Sequence, residues 1–297
     1  MTDKRIAASY IDRSDSGPVG FQIRNAMGLD DTESLDEVLE PTKTAIAAQG
    51  LRDLVRVDRG GYGVVCKAMD ESTGNPRAIK VVLHSEDEER LTIFRRECRM
   101  LDAAEMPTGI GPKFYGAHET PGAQPFLIQE WIEGRKLSDW LDAHPHLPMG
   151  DRESLCRAIF DTYSRLHAAN LIHRDVSLGN IMISGRKVRL IDFGGGGRAV
   201  PGYRSINTMS RVPTTEAFIS DPVRSGDRKP TIPDEVHAVA KVCFTVLTGQ
   251  LAFGKSQKER QQAFRVAGVS ADIVAILLPK MENPPEKLAM QSQAKEF

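Results

Sequence analysis

The sequence predicts an α+β protein of two lobes, a small and mostly antiparallel sheet followed by a mainly helical half. Three observations predict it. Between residues 51 and 133, short runs of apolar and β-branched residues are broken by glycine and proline turns, with one helical stretch among them. Beyond residue 136 the apolar residues recur at helical spacing instead, over residues 152–170 and again near 235–247. The texture changes near residues 130–136, which places the joint between the lobes there.

Residues 1–50 are polar and lack strand patterning, and are expected to form an N-terminal extension, flexible or regulatory. Within it, residues 34–49 suit a helix with Ser34 as cap and Glu37 three positions on, interrupted by Pro41. From Leu51 to Asp70 the pattern reads as two strands joined by a glycine-rich turn, and residues 76–83 as a third. Residues 86–104 read as a helix carrying Leu91, Phe94, Cys98 and Leu101 on one face. Two further strands, residues 112–119 and 126–133, complete a first lobe of residues 51–132. The second lobe, 133–297, holds a short helix over residues 137–143 and a long amphipathic one with Leu155, Ile159, Phe160, Tyr163 and Leu166. A hairpin over residues 181–191 follows, turned at Gly185, Arg186 and Lys187. After a long polar segment, residues 194–230, come a buried-looking helix near 235–247 and a last helix over 270–281.

Composition excludes several classes of function. A chain of 297 residues is long enough to bury a sizeable core. The net charge of −1 gives no basis for binding nucleic acid or an anionic membrane. The four cysteines never form a CxxC pair, which fits a reducing compartment better than disulfides or a zinc site. The first residues contain no apolar leader, and the most apolar helical stretch is short and interrupted by His237 and Lys241. A cytoplasmic protein with no membrane span is expected.

Four groups of residues carry chemistry. The run Gly60, Gly61, Tyr62, Gly63 sits in a strand-to-strand turn, where missing side chains let backbone N–H groups approach phosphate oxygens. The same glycines also suit a plain hairpin. Lys80 lies among apolar residues in the third strand, where a buried ammonium needs a partner, and Glu97 in the next helix is the natural one. A lysine facing solvent from an edge strand is the other reading. His173-Arg174-Asp175 leads to Asn180, and Asp192 opens Asp192-Phe193-Gly194. Phosphoryl transfer needs positioned metal ions and a carboxylate that orients the attacking hydroxyl. Asp192 and Asn180 offer hard oxygen ligands suited to Mg²⁺, and Asp175 is the candidate base.

These motifs resemble those of the protein-kinase superfamily, over roughly residues 51–290. The resemblance implies a bilobal protein-kinase-like fold, ATP and Mg²⁺ as cofactors, and a protein substrate. It places Gly60, Gly61 and Gly63 over the phosphates, pairs Lys80 with Glu97, and makes Glu130 to Ile132 the hinge that binds adenine through its backbone. It sets Val65, Ala78 and Met182 around the adenine ring, makes Gln129 the gatekeeper, and aligns Leu101, His173 and Phe193 in the spine joining the lobes. It makes the chain a serine/threonine kinase in preference to a small-molecule phosphotransferase like the aminoglycoside or choline kinases, or a nucleotide-binding pseudokinase scaffold.

The chain departs from the family pattern in several places. Asp58 stands where the first loop glycine is usual, and Ser177 where a lysine usually contacts the γ-phosphate. The end of the activation segment is degenerate around Glu216 and Pro222, and Leu288 stands where the arginine partner of that glutamate would fall, so both partners of one buried ion pair are absent together. Glu235 replaces the family's aspartate in the buried helix. Arg174, by the same resemblance, meets a phosphorylated residue of the activation segment, for which Ser205, Thr208, Ser210, Thr214 and Thr215 are candidates; an ordinary polar loop is the alternative.

Overall fold

The computed structural model describes residues 32–59, 63–199, 217–224 and 230–282. The N-terminal lobe is a five-stranded antiparallel sheet built from β1 (Leu51–Arg59), β2 (Gly63–Asp70), β3 (Pro76–Val82), β4 (Phe114–His118) and β5 (Phe126–Glu130), in the order β1-β2-β3-β5-β4. Residues directly opposite in an antiparallel pair share a face, so the register Val65↔Lys80 and Lys67↔Ala78 sorts the side chains. Val64, Cys66, Ala68, Ile79 and Val81 point to one face; Val65, Ala78, Lys80 and Val82 point to the other. Gly63 admits no side chain, since a Cβ there would stand 2.0 Å from the Val81 carbonyl oxygen.

Each face has its own helix. Helix α1 (Thr32–Ala47) buries Leu39, Thr42 and Ile46 against the first face, and the Thr42 hydroxyl accepts a hydrogen bond of 2.8 Å from Gln124 N. Burial of Leu39 and Ile46 contributes about 1.5–3 kcal/mol each. Pro41 sits inside α1 on its exposed side. The described end of the expected 1–50 extension is therefore packed on the lobe rather than loose, because the sheet presents an apolar face that Leu39 and Ile46 cover. Helix α2 (Glu88–Leu101), capped by the Asp87 carboxylate, lies on the other face, where Phe94 meets Val82 and Leu127. It starts and ends inside the expected 86–104.

The second lobe begins with β6 (Arg135–Lys136) and α3 (Leu137–Ala143), followed by α4 (Met149–Ala168) and β7 (Leu171–Ile172). The hairpin of β8 (Ile181–Ser184) and β9 (Lys187–Leu190) pairs with β6, and β10 (Gly197–Arg198) pairs with β7. Short α5 (Asp221–Arg224) precedes α6 (Ile232–Thr248), α7 (Gln257–Ala267) and α8 (Ala271–Lys280). Helix α6 is the axis of the core: nearly every side chain from Asp234 to Leu247 is buried, packed around Ile159, Tyr163, Leu166 and Phe264. A capping box of Thr231 and Asp234 starts it, and Gly249 in the left-handed conformation ends it. Helix α7 lies in a stretch for which the sequence pattern predicts no element. Among the described residues no helix is long and apolar enough to cross a membrane.

Candidate active site

The lobes meet at Lys80. Strand β3 sends its ammonium into the interface, where it bonds Glu97 Oε2 of α2 at 2.6 Å and Asp192 Oδ1 at 2.8 Å. The partner expected for Lys80 is therefore present, and Asp192 is a second one. Burial alone would pull the lysine down, but Asp192 and Glu97 overcome it and hold the ammonium above its ordinary range. Burial pushes the Glu97 carboxyl up, with Lys80 opposing. Asp192 is held below the ordinary value because Lys80 outweighs its own desolvation. Its side chain is still 45% exposed.

Asp192 is reached through a tight turn. It has φ 63°, a left-handed conformation costly for a residue with a Cβ, and it opens a single 3₁₀ turn, Phe193–Gly195. Gly194 lets this turn press on α2, because a Cβ there would stand 2.6 Å from Ile93 Cγ2. Phe193 is fully buried with its ring 4.7 Å from that of His173, and Leu101 lies beside Phe193 against Gly111.

Asp175 and Asn180 are bonded to each other. The Asn180 amide donates to the Asp175 carbonyl and to Asp175 Oδ2, both at 2.9 Å, and Ile191 N donates to the Asn180 carbonyl at 3.0 Å. Lys80 thus joins Glu97 to Asp192, and Ile191, the residue before Asp192, is bonded to Asn180, which holds Asp175. Behind them, Glu235 of α6 accepts from the backbone N–H groups of His173 (2.8 Å) and Arg174 (2.6 Å) through one oxygen and meets His167 Nε2 at 2.6 Å through the other. Desolvation opposes the charge on Glu235, and the His167 hydrogen bond prevails, leaving its carboxyl below the ordinary range. The family's aspartate is one methylene shorter; Glu235 still reaches both amides. Arg174, itself at φ 68°, is half-buried with Arg96 of α2 nearby, and burial followed by that like charge lowers its pKa.

The remaining site residues fall as follows. Ala78 and Ile132 are buried, while Val65 and Met182 are half-buried. Gln129 is buried with its Oε1 unpartnered among the described residues. Glu130 does not leave its carboxylate free: Arg189 bonds both oxygens, at 3.2 and 2.7 Å, and Lys113 N donates to one at 3.0 Å. The Asp58 carboxylate pairs with Lys136 of the other lobe. Ser177 is buried. Gly60 and Gly61, the five candidate phosphorylation sites, Glu216 and Leu288 lie outside the described residues.

Sequence reasoning missed several members of this frame: Arg96, Arg189, Lys136 and Lys241. Lys241 is buried in α6 and donates to the Ile219 carbonyl at 3.0 Å, while the Ser220 hydroxyl donates to Asp234 at 2.6 Å. Together they anchor residues 217–220 on α6. The only local signal was a charge in an otherwise apolar helix.

The protein kinase domain family matches residues 52–297. Among curated proteins, the chain is 30% identical over 218 residues to serine/threonine-protein kinase PknL of Mycobacterium tuberculosis, covering 72% of this chain and 53% of the relative. It is 30% identical over 245 residues to PknB of the same organism, covering 76% of this chain and 38% of the relative, and 29% identical over 201 residues to pkn2 of Myxococcus xanthus, covering 65% and 24%. The chain therefore spans about half or less of the length of these relatives. With both the sheet-over-helix architecture and the family match covering the cleft, this chain belongs to the protein kinase domain family.

Proposed function

We propose that the chain is an ATP- and Mg²⁺-dependent protein serine/threonine kinase. The observation that carries this reading is the chain of contacts through Lys80, which ties Glu97 and Asp192 together while Asn180 holds Asp175. The donor set suits magnesium: Asp192 offers an exposed carboxylate and Asn180 an amide oxygen, and among the described residues no cluster of His, Cys, Asp or Glu could hold a metal alone. Such a site needs phosphate oxygens and water to complete it. Bound magnesium would neutralise the charge that develops on the transferred phosphoryl group. Lys80, kept protonated by its two carboxylates, binds the α- and β-phosphates. Asn180 orients Asp175, which receives the acceptor hydroxyl's proton at its carboxylate. The base lies in a slot of Val65, Ala78, Ile132 and Met182, and the glycines 60, 61 and 63 cover the phosphates. In this reading residues 51–132 and 133–297 act as the two lobes, with 130–132 as hinge.

The test uses the pure chain with labelled ATP and Mg²⁺, with and without generic protein substrates. Label on serine or threonine, abolished by Asp175→Asn and by Asp192→Asn, supports the reading. Nucleotide binding without transfer, or turnover confined to small hydroxyl or amine compounds, contradicts it.

A further inference from the structure

We propose that Arg189 and Glu130 form a positioning pair that sets nucleotide affinity by locking the hinge to the strand leading into Asp192. This deepens the nucleotide-binding reading above and rests on it. Arg189 lies on β9, three residues before Asp192, and faces Met182 across the β8–β9 register, so its side chain leaves the strand on the side of the proposed adenine floor. Its fork ends on both oxygens of Glu130, the last residue of β5, at 3.2 and 2.7 Å. One of the same nitrogens donates to the Gly111 carbonyl at 2.6 Å.

The pair is the centre of a wider lattice. Lys113 N donates to the Glu130 carboxylate at 3.0 Å, and Glu130 N donates to the Lys113 carbonyl at 2.8 Å. Leu190 N donates to the Ile110 carbonyl at 2.8 Å, so residues 110–113 are clamped between β9 and the hinge. Ile191 N continues the line to Asn180. The parts proposed to hold the base and the parts proposed to hold the metal are thus braced against each other through one guanidinium. The Arg189 side chain is only 12% exposed, so the ion pair is screened less than a surface pair. A lysine reaches one acceptor as a point charge and cannot hold three oxygens in a planar fork.

Nothing here touches the reacting atoms, so the pair acts on binding and leaves chemistry alone. The experiment titrates a fluorescent ADP analogue into the full chain and into Arg189→Met, Arg189→Lys, Glu130→Gln and the double variant Arg189→Met/Glu130→Gln. It also measures KM for ATP and kcat in the transfer assay. Arg95→Ala, which removes an exposed pair with Glu119 on the outer side of α2, is the control. Loss of one charge-assisted pair predicts about tenfold weaker nucleotide binding in either single variant and a matching rise in KM, with kcat within about twofold. Because the two residues act together, the double variant is no weaker than the worse single one, and Arg189→Lys falls between parent and Arg189→Met. Unchanged nucleotide affinity in the single variants, or additive losses in the double one, overturns the proposal. So does a fall in kcat at constant KM, or a failure of both Arg189→Met and Glu130→Gln to fold. A parent chain that binds no nucleotide overturns the underlying reading as well, which separates the two failures.

Discussion

Among the described residues, two lysines in apolar elements, the half-buried Lys80 and the buried Lys241, are held in different ways. Lys80 on β3 meets two carboxylates, one of them 45% exposed; Lys241 on α6 donates to the backbone carbonyl of Ile219 inside the core. Desolvation penalises both ammonium groups. The comparison teaches that burial alone does not mark a candidate phosphate-binding lysine; a partner that stays exposed, as Asp192 does, sets Lys80 apart from Lys241. Lys80 couples the lobes at the proposed phosphate site. Lys241 secures residues 217–220 beside the core.

Substitution separates the two roles. Lys80→Met should lower phosphate transfer by roughly 10²-fold or more, as loss of an electrostatic stabiliser does, with the fold kept; the readout is initial rate at saturating ATP beside a thermal melt. Lys241→Met should do the reverse. It leaves a buried carbonyl without this donor, costs about 1–3 kcal/mol of stability, and changes transfer per folded molecule little. If Lys241→Met abolished transfer while leaving the melting temperature unchanged, the assignment of an anchor would fail.

Acid should reach the frame behind the site through Glu235. Its carboxyl lies below the ordinary glutamate value of 4.5, so the stability it contributes is present above that value and lost as pH falls through the lowered one. Glu235→Gln should therefore melt earlier at neutral pH and show a shallower loss of stability on the acid side than the parent. Melting temperature against pH checks this, and parallel curves would contradict it.

The smallest effect belongs to Asp58. Its pair with Lys136 is exposed, so Asp58→Gly should change stability by less than about 1 kcal/mol. Because the pair joins the lobes, nucleotide release should quicken a few-fold at low salt, and the difference should vanish at high salt. Stopped-flow release at two ionic strengths reads it. An equal effect at both would show that the carboxylate acts by another route.

What the sequence made legible follows from locality. The Asp175–Asn180 run and the Asp192 turn are short continuous segments, so their spacing carries their geometry. Lys80 and Glu97 were legible because a buried ammonium must have an acid, and only one helix follows it closely. Arg189 with Glu130, Lys136 with Asp58, and Lys241 with Ile219 join distant segments and leave no local signature. Helix α7 escaped for another reason. Its capping box, Ser256 with Glu259, and Gly268 beyond its end were readable, but it buries little beyond Arg260, Ala263 and Phe264, too weak an apolar stripe to stand out. The helix in the 1–50 extension was legible as a helix, while its docking was not: Leu39, Thr42 and Ile46 make sense only once β2 and β3 show an open apolar face.

The proposed kinase activity rests on recruitment of magnesium by Asp192 and Asn180 to a nucleotide held by Lys80. Nucleotide affinity measured with and without Mg²⁺, in the parent chain and in Asp192→Asn, tests it most directly. Mg²⁺ should tighten binding in the parent and no longer do so in the variant; an equal response to Mg²⁺ in both would rule out magnesium recruitment by Asp192.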